Sequence, residues 1–230
     1  MHMSDALLAP TVGLVMWAVS GVALARASSR LQASGDDRLV PLMGMLGAFV
    51  FAAQMINFAI PGTGSSGHLG GGVLLAMLLG PHAALVVIAS VLTVQALFFA
   101  DGGLLALGAN IFNIGVLPAL VAWPLVGRPL AGSSPSPRRM GLATVLAAIV
   151  ALQLGAAAVV VQTVASGISS LPADLFALMM LPIHAAIGVV AVSYTHLQAA
   201  GTASRCPGGA RIHRWSPPAR PGWQSARRRP

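Results

Sequence analysis

Long apolar runs separated by short polar breaks set the pattern of the chain. Leu7–Ala25, Leu39–Ile60, Ala83–Phe99, Leu104–Val126, Gly141–Ala165 and Leu175–Val192 are the runs. A helix needs roughly 20 apolar residues to cross a bilayer core, so each is predicted to span. A shorter piece, Leu69–Leu79, is cut off by the Gly80-Pro81 break. Pro61 ends the second run, Asp101-Gly102-Gly103 makes a turn, and Pro118 and Pro182 fall inside their runs as kinks. Ala27–Arg38 and Gly127–Arg139 read as exposed basic loops, and Ser166–Pro172 as a polar connection.

One polar break stands apart from the others. Gly62-Thr63-Gly64-Ser65-Ser66-Gly67-His68-Leu69-Gly70-Gly71-Gly72 interrupts a stretch, Leu39 to Ala100, with no Asp, Glu, Lys or Arg. His68 is the loop's one titratable group. Bare backbone cannot be left in lipid, so the loop must be held in water or inside protein.

Composition fixes the class. The chain is 56% hydrophobic and 8% charged, with a mean hydropathy of +0.82, against about 25% charged residues in a soluble domain. The expected fold is an all-α integral membrane protein in one bundle. There is no Lys, and hence no Gly-x-x-x-x-Gly-Lys-[Ser/Thr] phosphate loop; ATP-driven work would need an ATPase on a separate chain. The formal charge of +8 is unevenly spread. Residues 1–193 hold six Arg and five Asp, or +1, whereas 194–230 hold seven Arg and no acid, or +7. Nucleic-acid binding by the body is therefore not supported. The chain divides into a transmembrane domain, 1–193, whose last span is cut short, and a basic tail, 194–230, of disordered composition. That tail reads as an out-of-frame or chimeric end, with a natural cytoplasmic tail as the alternative. The single Cys206 lies in it, so no disulfide framework and no Cys metal cluster is expected.

Orientation follows from arginine. Arg26, Arg30, Arg38, Arg128, Arg138 and Arg139 place both basic loops in the cytoplasm. The N-terminus and the glycine loop then lie outside, and crossing parity gives about seven transmembrane segments, N-out. The piece after the loop is too short to span unless it starts at depth, so the loop is expected to be re-entrant, carrying His68 into the bundle. The first run is too long for a signal peptide and lacks a basic flank, so Met1 is expected to remain as the terminus.

Met1-His2 is the second candidate for chemistry. A residue-2 histidine can chelate through the Met1 α-amine, the deprotonated His2 amide nitrogen and the imidazole, in two fused rings that share a plane. A fourth nitrogen from His68 would close a square, a geometry suited to Ni(II) or Cu(II) rather than tetrahedral Zn(II). Asp5 is the candidate acceptor for an imidazole N–H. His68 equally reads as a residue capping loop carbonyls. Asn110 and Asn113, spaced i, i+3 on one helix face, line the cavity or, like Gln54, Asn57 and Gln95, tie helices together. His82 reads as interfacial, and His184 as an intrabundle histidine. Gly64-Ser65-Ser66-Gly67 fits the Gly-x-Ser-x pattern of rhomboid proteases with His184 as base, and a proton-coupled carrier is a third class, although the spans hold no carboxylate.

Three segments together resemble one family. Met1-His2-Met3-Ser4-Asp5 is similar to a Met-His-x-x-Asp start, Gln54-Met55-Ile56-Asn57 followed by Gly64-Ser65-Ser66-Gly67-His68-Leu69 to a second-span signature and loop, and Gln95-Ala96-Leu97 with Asp101 to Asn110 and Asn113 to a fourth-to-fifth-span motif. They resemble the NikM/CbiM family, the membrane substrate-binding components of nickel and cobalt energy-coupling factor transporters. The resemblance implies Ni(II) or Co(II) as transported substrate, held by a four-nitrogen set from Met1, His2 and His68, the cobalt serving cobalamin synthesis. It also implies a multi-pass location in the cell membrane. The implied partners are a transmembrane coupling protein, ATPase subunits and a small accessory membrane subunit. Met3-Ser4 departs from the family's Ile-Pro, Ser65 replaces a Thr, Gly70 a Leu, and the family glutamate of the last span is absent.

Overall fold

A computed structural model describes the chain over residues 1–203, and beyond residue 189 only as the course of the backbone. Helices dominate it. They are α1 (Pro10–Ser34), α2 (Leu39–Gln54), α3 (Gly72–Leu79), α4 (Pro81–Phe98), α5 (Leu107–Ala131), α6 (Pro137–Ser166) and α7 (Ala173–Ala203). Among the described residues four of these, α1, α4, α5 and α6, are long and apolar enough to cross a membrane, with α2 and residues Ala173–Val189 of α7 as shorter apolar helices.

Local chemistry sets most of the ends. Proline occupies the first turn of α1, α4 and α6, where its missing N–H costs nothing. Ser136 caps α6 by accepting from the Arg139 N–H at 3.3 Å. Within α5 the segment Phe112–Gly127 is wound as a π-helix and contains Pro118 and Pro124. Each proline removes a donor and crowds the carbonyl four residues back, and the wider i→i+5 winding accommodates both.

Two basic segments are more helical than expected. α1 runs on to Ser34, because Ala27 and Leu31 still pack against the core. α6 begins at Pro137 and so includes Arg138 and Arg139. α7 continues past residue 192 to Ala203, and the rest of the basic tail, 204–230, lies outside the described residues.

The chief departure from an all-helical expectation is a small sheet. The second apolar run does not stay helical to Ile60: α2 ends at Gln54, and Asn57–Ile60 is a strand, β2. Ser65–His68 of the glycine loop is a second strand, β3, and His2–Met3 at the chain's start, β1, completes it. The order is β1-β3-β2, with both pairs antiparallel. Gly62 and Gly64, at φ 74° and 63°, turn the β2–β3 hairpin in a conformation side chains resist. Thr63 ties the turn by donating its hydroxyl to the Ile60 carbonyl at 2.8 Å.

A sheet in an apolar bundle must satisfy its outer edge. Asn110 of α5 does this for β1. Its Oδ1 accepts from the Met3 N–H at 2.8 Å, and its Nδ2 donates to the Met3 carbonyl at 3.1 Å, as a fourth strand's peptide would. Gly103 also donates its N–H to that carbonyl at 3.0 Å. Around the sheet, Met3, Leu8, Ile60, Ala109, Phe176 and Met180 form an apolar cluster from α5, α7, the strands and the link between β1 and α1. The outward faces stay apolar: Leu14, Val40, Leu125 and Val161 are exposed, a pattern suited to lipid rather than water.

Candidate metal centre

Strand register brings the sequence-distant residues together. His2 lies opposite Ser66 across the β1–β3 pair. Side chains two apart on a strand share a face, so His68 falls on the face of Ser66 and diagonal to His2. The two imidazoles stack, with centroids 4.4 Å apart and planes 30° from parallel. Both are buried, at 3% and 2% exposure. Ser65 supports this pairing by donating its hydroxyl to the His2 carbonyl at 2.9 Å, so the exchange of a family Thr for Ser keeps the group that matters.

Each ring is fixed through Nδ1. His2 Nδ1–H donates to Asp101 Oδ1 at 3.0 Å, and Asp101 Oδ2 accepts from Asn57 Nδ2 at 2.8 Å. His68 Nδ1–H donates to the Leu69 carbonyl at 2.8 Å. In both rings this leaves the lone pair on Nε2, and both Nε2 atoms are buried without a hydrogen-bond partner. A buried acceptor left unpaired costs about 1–3 kcal/mol. Anchoring one imidazole nitrogen on an oxygen while the other stays free is how metal-ligating histidines are usually oriented.

The α-amine of Met1 completes the group. It donates to the Ser66 carbonyl and faces His184 Nε2 at 3.4 Å. Burial strips its hydration and pushes its pKa down to about 5, against a smaller opposing pull from Asp101. At neutral pH it is therefore an uncharged amine with a lone pair. Burial likewise holds the His2 imidazole below its ordinary value, despite the hydrogen bond and charge of Asp101. Burial holds His68 well below it. For Asp101 burial pushes upward, but the hydrogen bond and charge of His2 and the Asn57 amide outweigh it, so the carboxyl sits below the usual range.

Of the residues singled out from sequence, Met1, His2 and His68 meet at one place. Asp5 is elsewhere: its Oδ1 accepts the Ala106 N–H at 2.9 Å, and the carboxylate on the His2 ring belongs to Asp101. Asn110 braces β1, and Asn113 forms a reciprocal amide pair with Gln162 at 2.8 and 2.9 Å. In the sequence Asp101 reads as a turn residue and as part of the family-like motif, with no role at His2, yet it is the sole acid between Asp37 and Asp174; an isolated carboxylate in so apolar a stretch is the signal. Among the described residues no three His, Cys, Asp or Glu side chains group to hold a metal. Ser66 Oγ is buried with no hydrogen-bond partner, which leaves the serine-protease reading without an activated nucleophile.

A bundle of apolar helices that gathers two unpartnered imidazole nitrogens and a buried amine on a small sheet defines a class: a polytopic membrane protein with a cluster of nitrogen donors. The CbiM family model, described as "Cobalt uptake substrate-specific transmembrane region", matches residues 2–198, and the chain belongs to that family. Similar proteins include the fused nickel transport protein NikMN of Rhodobacter capsulatus, 32% identical over 209 residues, 88% of this chain and 58% of that protein. The cobalt transport protein CbiM of Geobacter sulfurreducens is 32% identical over 153 residues, 66% of this chain and 42% of that protein. The crystal structure of a truncated transition metal transporter superposes with a TM-score of 0.76 at 28% identity, covering 89% of this chain and 99% of that one. The chain spans about half the length of the curated relatives it matches.

Proposed function

We propose that this chain is the substrate-capture component of an ATP-driven, energy-coupling factor type uptake system for Ni(II) or Co(II). The observation that carries the reading is the convergence of nitrogen groups at one buried place: the unpartnered Nε2 of His68, the His2 ring stacked on it and the uncharged terminal amine. The ion is held by Met1, His2 and His68 as four nitrogens: the amine, the His2 amide and two imidazoles. Closing the second fused ring draws on His2 Nδ1, so this mode needs a half-turn of the ring about Cβ–Cγ, away from Asp101. Nitrogen donors in a plane favour Ni(II) over Co(II), and the names of the similar proteins include both metals.

The bundle crosses the membrane seven times with the N-terminus outside. Support comes from the polarity of its ends: the arginines of α1 and α6 are remote in sequence from the sheet, while Asp101, just past the end of α4, touches both β1 and β2. α3, only eight residues long, completes a crossing that begins at the depth of the sheet. The ATPase and the transmembrane coupling protein are separate chains, joined by a small accessory membrane subunit, and they drive release to the cytoplasm.

Metal titration of the purified protein tests the core of this. Wild type should bind Ni(II) with a planar-nitrogen absorption spectrum, and His2→Ala and His68→Ala should each lose at least about a hundredfold in affinity. A variant with one residue added before Met1 should lose as much. Wild-type affinity in the extended variant would remove the amine from the ligand set and sink the model.

A further inference from the structure

His184 has no part in that ligand set, yet its ring is as carefully held as those that do. It is fully buried in α7, and its Nδ1–H donates to the Met180 carbonyl one turn back at 2.8 Å. That bond fixes the tautomer, so Nε2 is an acceptor. The atom it faces is the Met1 amine nitrogen, at 3.4 Å.

An amine that gives its lone pair to a metal keeps two N–H bonds. Two acceptors are arranged around the Met1 nitrogen: the Ser66 carbonyl of β3 and His184 Nε2 of α7. With both N–H directions taken, the remaining tetrahedral position of the nitrogen, its lone pair, has a fixed direction. The main chain of β3 sets one constraint, and a side chain from the last described helix sets the other. The contact of Nε2 is with the amine nitrogen itself, so His184 acts through the amine rather than on the ion.

We infer that His184 is a positioning residue that orients the Met1 amine for metal coordination, linking α7 to the occupancy of the site. The inference rests on the proposed metal reading and deepens it. The experiment is Ni(II) titration of the full chain in detergent, followed by visible absorption, with wild type, His184→Leu and His184→Gln. Leucine keeps an apolar volume without an acceptor, whereas the glutamine Oε1 reaches about as far as Nε2. The expected result is affinity about tenfold weaker for His184→Leu, the worth of one hydrogen bond to such a group, with the absorption band unmoved. His184→Gln should return to within about threefold of wild type. Unchanged affinity in His184→Leu overturns the inference. So does a shifted band, which would make the imidazole a ligand, and so does a glutamine variant as weak as the leucine one. No Ni(II) binding by wild type itself would instead reject the metal reading.

Discussion

Asp101 is where a single side chain matters most outside the ligand set. It accepts from His2 and from Asn57, and so ties β1 to β2 through one carboxylate. With an ion bound it also supplies negative charge nearby. At about 5 Å and an effective dielectric of about 20, a unit charge pair is worth roughly 3 kcal/mol. The hydrogen bond given up if the ring turns to chelate through Nδ1 is worth about 1.5–3 kcal/mol, so the carboxylate favours the loaded state in either ring orientation. Asp101→Asn keeps one acceptor but cannot serve both partners and loses the charge. Its Ni(II) affinity should fall ten- to a hundredfold, read by calorimetric titration. Affinity equal to wild type would reduce Asp101 to a turn residue.

The elements differ in how well the sequence exposes them, and the reason is what each one packs against. α4, α5 and α6 face lipid or apolar core over most of their length, so hydrophobicity alone marks them. In the sequence β2 looks like the end of a helix because Phe58, Ala59 and Ile60 are apolar in either conformation; pairing with β3 decides, and that partner follows a turn. β1 is two residues long, and its neighbour in the sheet is more than sixty positions away, so no local pattern could announce it. Met1, His2 and His68 were legible as chemistry because their residue types are rare in such surroundings. Asp5 reads as the acceptor in the sequence because it is near His2 along the chain, whereas the fold makes the distant Asp101 the neighbour. The contact between α1 and α5 was equally hidden. A Cβ on Gly108 would lie 2.5 Å from the Trp17 backbone N and 2.6 Å from its Cα, and Ser20 Oγ donates to the Gly108 carbonyl at 2.6 Å. Backbone cannot step aside as a rotamer can, so Gly108→Ala should push α1 off α5 and cost about 1–3 kcal/mol. Thermal unfolding in detergent measures it, and an unchanged midpoint would show that the two helices are not held in close contact.

At the scale of the molecule, the direction of transport depends on which end of the bundle faces which side. The proposed topology sets the basic α1–α2 and α5–α6 connections in the cytoplasm and the α6–α7 connection outside. The positive-inside bias acts on short loops such as these, and the Arg-rich ends of α1 and α6 are polar and exposed. Residues 36 and 169 lie in opposite sets of connections, and both are exposed in the structure. With Cys206 replaced by Ser, Asp36→Cys and Ser169→Cys each carry one thiol for a membrane-impermeant maleimide. In right-side-out vesicles Ser169→Cys should label at once and Asp36→Cys only after permeabilisation; inverted vesicles should reverse the order. The reverse pattern in right-side-out vesicles would put the N-terminus and its nitrogen donors in the cytoplasm. A capture site there could not take metal from outside, and uptake would have to give way to export or to intracellular delivery.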